Sequence, residues 1–201
     1  MPTGFILLVW GSCGDCHFNG TIMKRQRIKK YIAESARVVA GLGRHAGRIE
    51  AIGCELVACL HRGGTILTAG NGGSAAEALH MAEELTGRYR SNRRPLPAVC
   101  LAADATAITC IGNDFGFAEV FKRQMEALGR AGDVAVLFTT SGKSENMVRA
   151  LVAAKKCGVK TVCLLGRGGG RMAGKGDYEI IVGSRSTGRI QEAHQVIMHL
   201  L

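Results

Sequence analysis

The chain has 201 residues, an apolar fraction of 47%, a charged fraction of 21% and a net charge of +10. That length suits one sizeable domain and is short for two, and the composition excludes wholesale disorder. The positive balance points to an anionic partner. Aromatic residues make up only 5% and do not interleave with the basic runs at Lys24–Lys30 and Arg88–Arg94, so no nucleic-acid stacking surface and no nucleic-acid partner are expected.

At the front, Phe5–Trp10 is a short apolar run with no basic residue before it and no small-residue cleavage site after it, so it does not read as a secretion signal. Cys13-Gly14-Asp15-Cys16-His17 fits the C-x-x-C-H pattern of c-type haem attachment, which needs export that this front end does not provide. Residues 1–22 are expected to be a disordered leader, with the folded chain starting at Met23. Residues 23–201 are then a single domain. The other six cysteines, Cys54, Cys59, Cys100, Cys110, Cys157 and Cys163, sit in apolar segments, where a reduced thiol behaves as a small core residue. No apolar run approaches the ~20 residues of a membrane span. A cytoplasmic protein with reduced thiols and no membrane partner is expected.

Residues 24–61 read as two helices, with Ile28, Ile32, Val38, Val39 and Leu42 and then Ile49, Ile52, Leu56 and Leu60 at helical spacing. The period then changes. Thr65–Ala69, Pro97–Leu101, Val134–Phe138, Lys160–Leu165 and Tyr178–Val182 read as five buried strands, with helical patterns at 75–86, 117–128, 146–157 and 190–201 between and after them. This alternation predicts an α/β fold, a three-layer αβα sandwich with a five-stranded parallel sheet, preceded by the N-terminal helices. In such a sheet ligands bind beyond the carboxyl ends of the strands.

After the first strand comes Gly70-Asn71-Gly72-Gly73-Ser74-Ala75, which fits G-x-G-x-x-A. Glycines let the backbone approach a phosphate, and the helix behind offers free N–H groups and a partial positive charge. Ser74 is the expected N-cap. The loop suits a dinucleotide, a smaller phosphate, or nothing beyond a tight turn. A dinucleotide also needs an acidic group at the end of the second strand, where Asp104 is the only candidate and comes late. After the third strand, Thr139-Thr140-Ser141-Gly142-Lys143-Ser144 imitates a Walker A loop, but Leu137 stands where that loop needs its first glycine. What remains is a hydroxyl-rich cradle for one terminal phosphate, or a serine-rich turn without function. Two phosphate-capable loops on neighbouring strands favour a small phosphorylated metabolite.

His80 and Glu84 are i and i+4 on the helix behind the glycine loop and so share a face. Gln191, His194 and His199 lie on the last helix, where His194 reads as either a packing or a surface residue.

Four segments, "GNGGSAAEALHMAEELTGRYR", "IGNDFGF", "TTSGKSENM" and "GRIQEAHQVIMH", together resemble the sugar isomerase (SIS) domain family, and within it the phosphoheptose isomerase branch, over roughly residues 30–201. The resemblance implies conversion of sedoheptulose 7-phosphate to D-glycero-D-manno-heptose 7-phosphate through an enediol, for heptose and lipopolysaccharide-type glycan synthesis. Carried over, the substrate contacts are Asn71, Gly72, Gly73, Glu84, Asn113, Asp114, Thr139, Thr140, Ser141, Ser144 and Gln191. Glu84 and His199 would be the catalytic base and acid. A zinc ion would be held by His80, Glu84, Gln191 and His199, and the family implies a homotetramer. A carboxylate suits removal of a carbon-bound proton and an imidazole suits transfer between oxygens near neutral pH.

The sequence also departs from the family. Gly188 precedes Arg189 where an acid is frequent, Gly168 replaces a frequent Asp, and the last helix ends two residues beyond His199, where fraying is expected. The competing reading is a non-catalytic SIS protein that binds a sugar phosphate or the replication initiator. That branch lacks the counterparts of Glu84 and His199. A nucleotide-dependent oxidoreductase is served poorly by the hydroxyl-rich loop. One geometric expectation follows from spacing. Gln191 and His199 are about 12 Å apart along one helix, so joint service in one metal site is expected to take Gln191 from one chain and His199 from another.

Overall fold

The computed structural model describes residues 25–201. The leader expected at 1–22 and the C-x-x-C-H pattern lie outside the described residues. Two helices, α1 (Arg25–Ala40) and α2 (Ala46–His61), are joined by a short 3-10 turn over Gly41–His45. The α/β unit follows as β1 (Ile66–Gly70), α3 (Gly73–Thr86), β2 (Ala98–Cys100), α4 (Ala105–Phe115), α5 (Val120–Leu128), β3 (Val134–Thr139), α6 (Glu145–Lys156), β4 (Lys160–Gly166), β5 (Tyr178–Val182) and α7 (Thr187–Leu200). All strand pairs are parallel, in the order β2-β1-β3-β4-β5.

The layers follow from the strand period. Along β3, Val134, Val136 and Phe138 enter the core shared with α2, α3 and α7, whereas Ala135 and Leu137 enter the one shared with α5 and α6. The central strands β1, β3 and β4 are covered on both faces, whereas the edge strands β2 and β5, expected to be buried, are partly exposed. α2 contributes Ile52, Leu56 and Cys59 as one buried stripe, while α1 buries no side chain and leaves Ile28, Tyr31 and Ile32 exposed. The chain leaves β1 toward β2 on one side and returns to β3 on the other. The carboxyl ends of β1 and β3 therefore form the crevice where the winding reverses.

Three local expectations are corrected. The stretch Ala105–Phe115 is a helix absent from the expected elements; it buries no residue fully and rests only Ile108 and Ile111 partly on the core. Asp104 is its N-cap, its carboxylate accepting from Thr106 N and Ala107 N at 2.8 and 3.0 Å, and is not a free strand-end acid. The N-cap of α3 is Gly72, at φ +56°, and Ser74 is buried inside the helix. Of the cysteines read as core, Cys54 and Cys110 are exposed; among the described residues all six are free. Among the described residues, no helix is long and apolar enough to cross a membrane.

Candidate functional site

The glycine and serine loops meet at the crevice. Asn71, Gly73, Ser74, Thr139, Thr140, Ser141, Ser144 and Gln191 line one pocket of about 210 Å³, so seven residues of the expected substrate set are brought together. The serine loop is held by its own backbone. Gly142 N donates to Thr139 Oγ1 at 3.1 Å, and Arg171 N donates to Gly142 O at 2.9 Å. Gly142 sits at φ +59°, and a Cβ there would run into the Gly169 carbonyl. Only glycine satisfies both the left-handed backbone and that approach. Ser144 caps α6 by position without a side-chain cap bond, which leaves its hydroxyl for a ligand.

The two loops are tied by a residue the sequence reading missed. Asn71 Nδ2 donates to Asn146 Oδ1 at 2.9 Å, and Asn146 Nδ2 returns a bond to Asn71 Oδ1 at 2.8 Å. Asn146 is buried in the first turn of α6. This reciprocal amide pair, buried on the Asn146 side, fixes the glycine loop against the serine loop. The only sequence signal of Asn146 was its position just inside a helix, between Glu145 and the apolar Met147.

Gln191 approaches the same crevice from α7, against Gly73, where any Cβ would overlap its amide. From there α3 and α7 run as a seam of facing polar groups. Glu77 Oε2 lies 3.9 Å from His194 Nδ1, both residues are buried, and His194 Nε2 donates to Leu165 O at 3.2 Å. His194, left open between packing and surface, is a packing residue.

At the far end of the seam, ligand atoms of His80, Glu84 and His199 lie within 4.8 Å of one another. His80 Nε2 is 3.1 Å from Glu84 Oε1. The His80 and His199 rings meet edge-on at 5.2 Å, and Tyr89 stacks on His199 with centroids 5.4 Å apart. Arg93 fixes the end of α3 by donating to the Glu84 and Leu85 carbonyls at 2.6 and 2.9 Å, so one residue of the basic run is a helix cap. Despite its few remaining residues, α7 stays helical through Leu200 and holds His199 in the cluster. Arg189 is buried next to Gly188, pairs with Glu192 at 2.6 Å and lies over the Tyr31 ring.

Two expectations are revised here. The amide that touches the histidines is Gln195, four residues from both Gln191 and His199, whereas the Gln191 side chain, also on α7, lies against Gly73 of the glycine loop. Glu84 and His199 meet within one chain, so the residues expected to act as base and acid need no second copy to come together. Asn113 and Asp114 are exposed on α4, bonded to each other and not among the residues lining the loop pocket. The donor set of two imidazoles and a carboxylate suits zinc.

The SIS domain family profile matches residues 30–166. Over 177 residues, 88% of this chain and 93% of the relative, the sequence is 45% identical to the phosphoheptose isomerase of Aquifex aeolicus. It is 50% identical over 151 residues to that of Campylobacter concisus, covering 75% of this chain and 80% of the relative. The fold is similar to the structure of phosphoheptose isomerase from Neisseria gonorrhoeae, with a TM-score of 0.83 and 40% identity over 87% of this chain and 94% of that one.

Proposed function

The chain belongs to the SIS domain family, and we propose that within it the protein is a phosphoheptose isomerase, taking sedoheptulose 7-phosphate to D-glycero-D-manno-heptose 7-phosphate in the cytoplasm for glycan synthesis. It is an aldose–ketose isomerase of a sugar phosphate. The observation that carries this reading is the meeting of Glu84 and His199 across the α3–α7 seam, in a chain 45% identical to an enzyme of that name. The non-catalytic branch lacks that pair.

The loops take the phosphate. Ser141, Ser144, Thr139 and Thr140 offer hydroxyls, and the N-termini of α3 and α6 add backbone N–H groups and the positive ends of two helix dipoles. Asn71, Gly73 and Gln191 line the same pocket and suit the sugar hydroxyls next to the phosphate. Glu84 removes the C1 proton of the ketose and returns it to C2, and His199 carries a proton between O1 and O2. His80, Glu84 and His199 would hold a zinc ion, whose contribution when bound is to polarise the sugar carbonyl.

A second copy completes the site in this reading. Glu84 and His199 line a pocket separate from the loop pocket. From Gly73 to Glu84 is about 16 Å along the helix axis, a span near the limit of an extended seven-carbon phosphate. A tetramer that sets the loops of one chain beside the acid–base pair of another shortens the reach. It also gives exposed Asn113 and Asp114 a substrate to contact and covers the apolar residues of α1.

Purified protein incubated with sedoheptulose 7-phosphate should form the aldoheptose phosphate, read by NMR. No product, with or without added zinc, overturns the assignment. Mixing inactive Ser141→Ala/Ser144→Ala and Glu84→Gln chains after dissociation and reassembly should restore activity. No recovery, with mixed oligomers confirmed by native mass spectrometry, overturns the shared site.

A further inference from the structure

His80 presents its two ring nitrogens to different partners. Nε2 lies 3.1 Å from Glu84 Oε1, and Nδ1 lies 2.6 Å from the side-chain amide of Gln195, which also stands 3.4 Å from His199 Nε2. Gln195 is half-buried on α7. The sequence reading assigned it nothing, and the isomerisation does not use it.

The partners dictate the proton positions. A carboxylate only accepts, and a neutral imidazole has one donor and one acceptor nitrogen. In its neutral form with no cation bound, His80 donates Nε2–H to Glu84 and accepts at Nδ1. Gln195 must then turn its NH2 toward the ring, and the two protons of that group match two acceptors, His80 Nδ1 and His199 Nε2. A cation held by both His80 and Glu84 would replace the proton on the His80 nitrogen that faces Glu84. The ring proton then belongs on Nδ1, and the amide pairs with it by turning Oε1 inward. One side chain satisfies the ring in both states, which neither an aliphatic residue nor a lysine could do.

We propose that Gln195 is a positioning residue for His80, holding the ring in place and exchanging its amide ends as a zinc ion enters or leaves the His80–Glu84–His199 cluster. This rests on the zinc reading given above. Outer partners of a metal-bound imidazole fix its tautomer and orientation, and their loss typically lowers metal affinity by about 10–100-fold.

The test measures zinc affinity by competition with a chromophoric chelator in the full-length wild type, Gln195→Leu and Gln195→Glu, with thermal unfolding of each. Gln195→Leu should bind zinc about 10–100-fold more weakly. Gln195→Glu, which accepts from Nδ1–H, should stay near the wild type. In ¹⁵N-histidine spectra of the wild type, His80 should change from the Nε2–H to the Nδ1–H tautomer on zinc addition. Unweakened binding in Gln195→Leu, or a ring that keeps its tautomer on zinc addition, overturns the proposal. Equal weakening in Gln195→Glu, which would mark Gln195 as generic packing, also overturns it. If Gln195→Leu does not fold, Gln195→Met takes its place under the same criteria. A wild type that binds no zinc overturns the zinc reading itself, an outcome distinct from a wild type that binds zinc without regard to position 195.

Discussion

The two ends of α3 are built from different materials. At its N-terminus the pocket is shaped by backbone, with Gly72 at φ +56° and Gly142 pressed on Gly169, and is tied by the reciprocal Asn71–Asn146 side-chain pair. At its C-terminus, His80, Glu84 and His199 are half-exposed side chains on two helices that would pack without them. The end proposed to take the phosphate is thus inseparable from the fold, whereas the end proposed for acid–base chemistry is a set of residues carried by it. A chain can lose the second and keep the first, which is how a fold of this kind can host both enzymes and non-catalytic binders.

The largest effect expected from this contrast is in Glu84→Gln. Turnover should fall about 10²–10⁴-fold, while stability changes by no more than about 0.5 kcal/mol. Deuterium exchange at the sugar C1, followed by NMR, and thermal unfolding check the two halves. A large loss of stability would show that the acid–base end is structural after all.

At the other end, Ser141→Ala/Ser144→Ala should act on binding before rate. Each lost hydrogen bond to the charged phosphate is expected to cost about 1.5–3 kcal/mol. Calorimetry with the phosphorylated sugar would read this directly, and unchanged affinity would move the phosphate elsewhere.

Gly142→Ala sharpens the contrast from the side of the fold. The left-handed backbone and the clash with the Gly169 carbonyl together should destabilise the protein by about 2–4 kcal/mol, seen as a lower urea midpoint. An alanine tolerated here would mean that the loop is as replaceable as the acid–base cluster.

The smallest effect is expected at the amino end of the sheet, away from both pockets. Burial raises the Asp177 carboxyl, but bonds from Thr161 N and Oγ1 at 2.8 and 2.6 Å outweigh this and hold it below the usual aspartate range. A carboxyl depressed on folding contributes stability above its ordinary value and loses it as pH falls through the lower folded one. Asp177→Asn should therefore flatten the acid limb of the stability curve in that window and leave activity at neutral pH unchanged. Denaturant titrations across acidic pH would detect it.

The five strands and the sandwich could be read from the sequence because each depends on one segment's own pattern. A strand buried on both faces must be apolar throughout, as Val134–Phe138 is. A loop that lets backbone reach a phosphate must be rich in glycine or hydroxyls, and His80 and Glu84 share a face because a helix turns every 3.6 residues. α4 escaped because its apolar stripe is short and weakly buried: Ile108 and Ile111 rest only partly on the core and no residue of the helix is fully buried. Ser74 was misread because a capping role depends on where the backbone begins to coil. What only the tertiary structure decided is which polar groups meet. The crossing of α7 over α3 sets Gln191 at Gly73, His194 at Glu77, Gln195 at His80 and His199 beside His80 and Glu84. That pairing is fixed by how the apolar sides of the two helices pack on one sheet face, with Ala78, Met81 and Ala82 against Ile190, Ala193 and Ile197. The spacing of either helix alone contains no register between them.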